Sequence, residues 1–253
     1  VRFASLGSGS RGNALLVEGG DACILVDCGF AACEVERRLA CLGAEAADLD
    51  GILLTHEHGD HVRGAAALSR RYRIPVWTTP GTCRQAGVDG LETLRLISGH
   101  GAGFDVAGIR VQPFPVPHDA REPCQFVLET RGRRLGLLTD AGTVTRHIRD
   151  LLSECDALML ECNHDAELLR SGPYPPTLQA RIAGAFGHLS NEQAAELLDS
   201  LPHRQLSNLL VAHISAKNNR PELAREALLQ VDASLGSRLT MARQDRPGPW
   251  LEV

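Results

Sequence analysis

Thr55-His56-Glu57-His58-Gly59-Asp60-His61 is the stretch on which the reading of this chain turns. It follows the apolar run Gly51–Leu54 and precedes a helical pattern. Its four potential ligands, His56, His58, Asp60 and His61, cannot share one face of a helix or strand. A tight turn can aim them at two adjacent points. Imidazole suits zinc, iron and manganese, and a carboxylate adds a hard oxygen. The bland alternative is a polar surface turn, and three histidines with an aspartate at the end of a buried strand argue against it.

A metal centre needs further ligands from elsewhere in the chain. His118 follows the apolar run Val111–Val116, Asp140 follows Leu135–Thr139, and His213 follows Leu209–Ala212. A single histidine or aspartate at a strand end is ordinarily a cap or a solvated residue. Here the layout recurs three times: apolar strand, potential ligand, then a loop of small residues.

Short apolar runs alternate with longer helical patterns across the rest of the chain. Strands are expected at Arg2–Leu6, Asn13–Glu18, Ala22–Val26, Asp50–Thr55, Pro75–Thr78, Phe104–Val106, Ile109–Phe114, Gln125–Glu129, Arg134–Leu138, Ala157–Leu160 and Asn208–Val211. Helices are expected at Ala32–Leu42, Ala65–Tyr72, Thr143–Leu152, Pro176–Ala185, Asn191–Leu201 and Pro221–Val231. That order predicts an α/β fold, a four-layer αββα sandwich of two mixed β-sheets with helices outside. Gly172-Pro173-Tyr174-Pro175-Pro176 reads as a rigid loop within the fold, so residues 1–253 are expected to form one domain.

Composition excludes several classes. The 253 residues carry a net charge of −5, which rules out a strongly basic nucleic-acid coat, though not a local basic groove. The eight cysteines form no CxxC pair and are expected to be free thiols in a reducing cytoplasm. VRFASLGSGS holds no long apolar leader, and no run of ~18 apolar residues exists to span a membrane.

HEHGDH together with His118, Asp140 and His213 resembles the metallo-β-lactamase fold superfamily in motif order and spacing. The resemblance implies two divalent metal ions, zinc or manganese or iron. One ion would take His56, His58 and His118. The other would take Asp60, His61 and His213, with Asp140 bridging. It further implies a metal-bound hydroxide as nucleophile, clamped between the ions, so Asp60 is expected to serve catalysis as well as ligation. Zinc β-lactamases commonly carry a cysteine where Asp140 stands, so the Asp140 bridge resembles the hydrolase and nuclease branches instead.

Two further motifs bear on substrate. Leu160-Glu161-Cys162-Asn163-His164-Asp165 follows a buried strand, and Gly187-His188-Leu189-Ser190-Asn191 precedes a helix. Glu161 and His188 resemble the carboxylate and histidine of tRNase Z-type nucleases, which implies a catalytic pair with His188 as general acid. Helix capping by Ser190 or Asn191 is the alternative use of the second motif, and a cap at Asn163 or Asp165 that of His164 and Asp165. Ser5–Asn13 (SLGSGSRGN) reads first as a hairpin turn, with an anion-binding backbone as its alternative. Taken together, SLGSGSRGN, ECNHD, the GPYP loop and GHLSN resemble the YycJ/WalJ-type nucleases over about residues 2–220.

The expected function is therefore a dinuclear metal-dependent hydrolase, a phosphodiesterase or nuclease of DNA-exonuclease type, with nucleic acid as partner and DNA favoured over RNA. The alternative is a small-molecule hydrolase of the same fold acting on a thioester, lactone or β-lactam. The clusters Arg37-Arg38, Arg70-Arg71-Arg73 and Arg131-Arg133-Arg134 can track phosphates, but solvated helix faces and hairpin tips account for them individually. An aromatic content of 4% argues against broad base-stacking platforms.

Overall fold

A computed structural model describes residues 1–253. The first half of the chain lays down β1 (Arg2–Gly7), β2 (Ala14–Gly19), β3 (Ala22–Val26), α1 (Ala32–Cys41), β4 (Gly51–Leu53), α2 (Gly59–Val62), α3 (Ala65–Tyr72), β5 (Val76–Thr78), α4 (Pro80–Ala86) and β6 (Leu94–Leu96). The second half repeats the plan with β7 (Phe104–Val106), β8 (Ile109–Pro115), β9 (Cys124–Thr130), β10 (Arg133–Leu138), α5 (Arg146–Leu152), β11 (Ala157–Glu161), α6 (Ala166–Ser171), α7 (Pro176–Ile182), α8 (Asn191–Asp199), β12 (Asn208–Ala212), α9 (Pro221–Val231) and β13 (Leu239–Met241). The closing strand β14 (Leu251–Glu252) returns to pair with β1.

Two seven-stranded sheets result, in the orders β14-β1-β2-β3-β4-β5-β6 and β13-β12-β11-β10-β9-β8-β7. Each is antiparallel in its first strands and parallel from β3 to β6 or from β10 to β13. The alternation of side chains explains the layering. Leu15, Val17, Ile24 and Val26 enter the core between the sheets, while Leu16 and Leu25 turn to the opposite face, under α1 and α3. In the second sheet Met159 and Leu210 face inward, while Leu158, Leu160, Leu209 and Val211 pack under α5, α8 and α9. Continuous apolar runs in these strands thus mean that both faces are covered. The αββα sandwich of mixed sheets is the expected one.

Several elements go beyond the sequence reading. α2, α4, α6, β6, β13 and β14 are too short for periodicity to give them a signal. The helix expected from Thr143 starts at Arg146, because Thr145 caps it by accepting from the Ile148 N–H. The helix expected to reach Ala185 ends at Ile182, where a tight turn leads to His188.

Most of the arginine clusters are neutralised locally. Arg37 pairs with Glu34, Arg71 with Glu36, Arg133 with Asp156 and Arg134 with Glu154. Arg38 is buried and serves structure. It donates to the Leu6, Gln244 and Asp245 carbonyls, pairs with Glu34 and stacks over Phe30 with its guanidinium 4.0 Å from the ring centre. It thereby ties β1 to the C-terminal segment. Arg38→Ala should orphan several of these groups at once and destabilise the fold by roughly 3 kcal/mol. A urea titration should read this as a lower midpoint at unchanged slope.

Candidate metal centre

The candidate ligands gather at the carboxyl ends of strands, where open α/β sheets place their ligands. β4 leads into Thr55–His61, β8 into His118, β10 into Asp140 and β12 into His213, while Glu161 ends β11. Asp140 and His213 at these strand ends, and Asp27 just past β3, have φ of 54°, 52° and 61°. This left-handed conformation is unfavourable for residues with a Cβ and clusters where a fold positions side chains for chemistry.

Four overlapping sets of ligand atoms form, each with all its atoms within 4.8 Å of one another, and two of them are the expected ligand sets. One is His56, His58 and His118, and the other Asp60, His61 and His213. Asp140 lies between them, grouping with His56 and His61 on one hand and with Glu161, His188 and His213 on the other. Its Oδ2 is 3.4 Å from His61 Nε2, and its Oδ1 is 3.9 Å from His118 Nε2. Oδ1 is nearer still to His213 Nδ1, at 3.3 Å, so the carboxylate as a whole reaches both sets.

The protein holds one ring nitrogen of each buried candidate ligand histidine and leaves the other to the centre. Asp27 accepts from His61 Nδ1 at 2.7 Å, and the Gly187 carbonyl accepts from His118 Nδ1 at 3.0 Å. Glu161 accepts from His213 Nδ1 at 2.9 Å, and Thr55 Oγ1 lies 2.9 Å from His56 Nδ1. His56 Nε2, His213 Nε2 and Asp140 Oδ2 are buried without any hydrogen-bond partner. Orphaned imidazole and carboxylate atoms converging on one place are what a pair of divalent cations would satisfy. The residues present therefore fit a dinuclear centre.

Electrostatics agrees. Burial, with other imidazoles close by, holds His56 well below the usual histidine range, so it is neutral and able to ligate. Burial also disfavours the charged form of His61, but Asp140 and Asp27 outweigh it and push its pKa up to about 9. Without a cation, His61 keeps a proton that a metal would displace.

Asp27 is a residue of the candidate site that sequence reading missed. Besides His61, its carboxylate accepts from the Thr55 N–H at 2.9 Å and from Thr55 Oγ1. It orients the histidine motif from a strand some thirty residues upstream. Asp27→Asn should weaken metal retention by about 10–100-fold, read by competition with a chromogenic chelator. The Ser5–Asn13 segment is indeed a hairpin turn, and it also reaches the centre. Asn13 Nδ2 lies 3.3 Å from Asp60 Oδ2 and 3.1 Å from His61 Nε2, while Ser8 Oγ accepts from the His213 N–H.

Glu161 and His188 meet as expected. Glu161 is fully buried, and its Oε1 accepts from His188 Nδ1 at 2.9 Å. The same oxygen accepts from His213 Nδ1, and Oε2 accepts from the Ala141 and Leu189 N–H groups. One carboxylate thus aligns a candidate ligand as well as the candidate acid. His188 lines an open cleft of about 270 Å³ together with Asp60, Asp140 and His213. Burial disfavours its charged form, but Glu161 and then Asp140 outweigh that and raise its pKa. Ser190 does cap α8, in a reciprocal pair with Gln193, and Asp165 caps α6. Capping and placement of His188 therefore coexist. His164 is buried beside the centre but belongs to neither ligand set.

A family model described as a Beta-lactamase superfamily domain matches residues 23–214. This chain belongs to the metallo-β-lactamase superfamily. Within the superfamily it falls in the YycJ/WalJ-type group. It is 34% identical over 234 residues to exodeoxyribonuclease YycJ of Bacillus anthracis, a match that covers 91% of this chain and 89% of that protein. It is 32% identical over 245 residues to exodeoxyribonuclease WalJ of Streptococcus pneumoniae, covering 93% and 91%. The metallo-β-lactamase fold protein YhfI from Bacillus subtilis superposes with a TM-score of 0.75 over 98% of this chain and 99% of its own. At 15% identity, that likeness concerns the fold alone.

Proposed function

We propose that this protein is a metal-dependent phosphodiesterase that degrades DNA from an end. The observation that carries this reading is His188, held by Glu161 on the wall of the same cleft as Asp60, Asp140 and His213. A sugar oxygen is a poor leaving group and needs a proton, whereas a thiolate leaving from a thioester does not. The similarity to two exodeoxyribonucleases over more than nine-tenths of the chain supports DNA as the polymer.

In this reading His56, His58 and His118 would hold one divalent ion and Asp60, His61 and His213 the other, with the Asp140 carboxylate within reach of both sets. Such ions, once bound, supply Lewis-acid charge against the attacked phosphoryl group and acidify water at neutral pH. The chain does the rest. Asp27, Thr55, Glu161 and the Gly187 carbonyl fix the imidazole orientations. His188 offers a proton to the departing oxygen, and Glu161 keeps its ring turned to the cleft and favours its protonated form. Because the centre draws on both sheets, we propose that residues 1–253 act as one domain. No helix is long and apolar enough to cross a membrane. The eight cysteines are all free, which supports the proposal of a reducing, cytoplasmic setting.

The test is an assay of protein reconstituted with manganese or zinc on end-labelled DNA and RNA, beside a thioester and a β-lactam. DNA shortened from one end, and protected by a chelator, is the expected result. Turnover of the thioester or lactam with intact DNA would overturn the reading.

A further inference from the structure

We propose that the segment from Arg181 to Phe186 grips the strand at the cleft, with Arg181 in the cleft lining on a backbone phosphate and Phe186, next to the lining residue Gly187, stacked on a base. This deepens the phosphodiesterase reading and rests on it.

α7 buries none of its residues, so it adds little to the core. Leu178, Arg181 and Ile182 instead line the cleft alongside His188. Arg181 is the only lysine or arginine among the cleft-lining residues. Its Nε is bound to Asp119 Oδ2, and its two Nη atoms have no partner in the protein. The other carboxylate oxygen of Asp119 lies 3.4 Å from His118 Nε2 and 3.9 Å from His58 Nε2. One carboxylate thus sets the guanidinium beside the candidate ligands, with its fork free for an anion. A planar fork of this kind suits phosphate. Arg37, Arg71, Arg133 and Arg134 are by contrast paired to carboxylates.

Phe186 supplies an independent observation. At 62% it is the most exposed of the three large hydrophobic residues that reach the surface, ahead of Leu96 and Tyr72. Its exposure does not come from a loose chain. The Phe186 carbonyl accepts from the Asp119 N–H at 2.9 Å, the Ala185 carbonyl from Thr143 Oγ1, and the Ile182 carbonyl from the His188 N–H. The turn is also packed backbone to backbone, since a Cβ at Gly142 would lie 2.4 Å from the Gly187 nitrogen and one at Gly187 only 2.0 Å from the Ile182 oxygen. A rigid turn two residues from His188 therefore holds an aromatic ring out into water. Any base offers a face to such a ring, provided it has left the duplex stack. The substrate class that fits is a single strand or a frayed end, gripped without sequence preference.

The experiment uses the metal-loaded full chain and an end-labelled single-stranded oligonucleotide, with and without abasic residues near the degraded end. Phe186→Ala should raise KM about tenfold or more on the ordinary oligonucleotide. It should match wild type on the abasic one, and Phe186→Tyr should restore the difference. Arg181→Ala should raise KM and flatten the dependence of log KM on log salt by about 0.7, with Arg181→Lys recovering the slope. Equal losses on ordinary and abasic strands would reduce Phe186 to a structural role and overturn the proposal. So would an unchanged KM and salt slope, or a dimer lost in Phe186→Ala with DNA kinetics intact. The function itself falls only if wild type leaves DNA uncut. Variants indistinguishable from an active wild type sink this inference alone.

Discussion

His188→Ala is expected to lower kcat on DNA by about 10²–10⁴-fold with both metals still bound. His188 groups with Asp140, Glu161 and His213 but lies outside both expected ligand sets, and Nδ1 of its ring is committed to Glu161. Its loss should therefore spare the metals and strike proton donation to the leaving oxygen. The defect should shrink on a nitrophenyl phosphodiester, whose leaving group departs without a proton. An equal loss on both substrates would show that the ring only supports the site. Glu161→Gln adds a test by pH. The negative charge of Glu161 is a main reason the His188 pKa is raised against the pull of burial. Removing that charge lowers the pKa, so the acid form disappears at lower pH and the alkaline limb of the kcat profile should move down. Since Glu161 also accepts from His213, metal content must be measured in the same samples.

Asp140→Ala is the second large effect. Its oxygens face both ligand sets and Oδ2 has no other partner, so nothing else in the protein replaces the bridge. Most of the second metal should be lost, and activity with it by at least about 100-fold. Two tightly held ions in this variant, counted by elemental analysis, would contradict the assignment. Because φ at this position is 54°, alanine adds backbone strain to the lost carboxylate. Asp140→Gly separates the two effects, and its melting curve should lie above that of Asp140→Ala.

The legible part of the centre was the part written locally. Thr55–His61 places its ligands within one turn, and His118, Asp140 and His213 each announce themselves after an apolar strand. The two-sheet plan was legible for the same reason, since strands covered on both faces are continuously apolar. What escaped was written across distance. Asp27 looks like any aspartate after a strand until folding sets it 2.7 Å from His61 Nδ1. Glu161 could be matched to His188 by resemblance, but its hold on His213 needs the register of β11 against β12, which pairs Glu161 with Ala212. Arg181 and Phe186 carry no periodic signal. Their meaning depends on a helix that leaves the core empty-handed and runs along the cleft.

The left-handed backbone at Asp27, Asp140 and His213 sets folding and catalysis against each other at three places. Glycine relieves that strain, yet it brings no carboxylate and no imidazole. A lineage selected for endurance alone would drift toward glycine at these positions and lose its centre first. The same holds at the bench, where a thermostability screen without an activity readout would enrich for well-folded, inactive survivors.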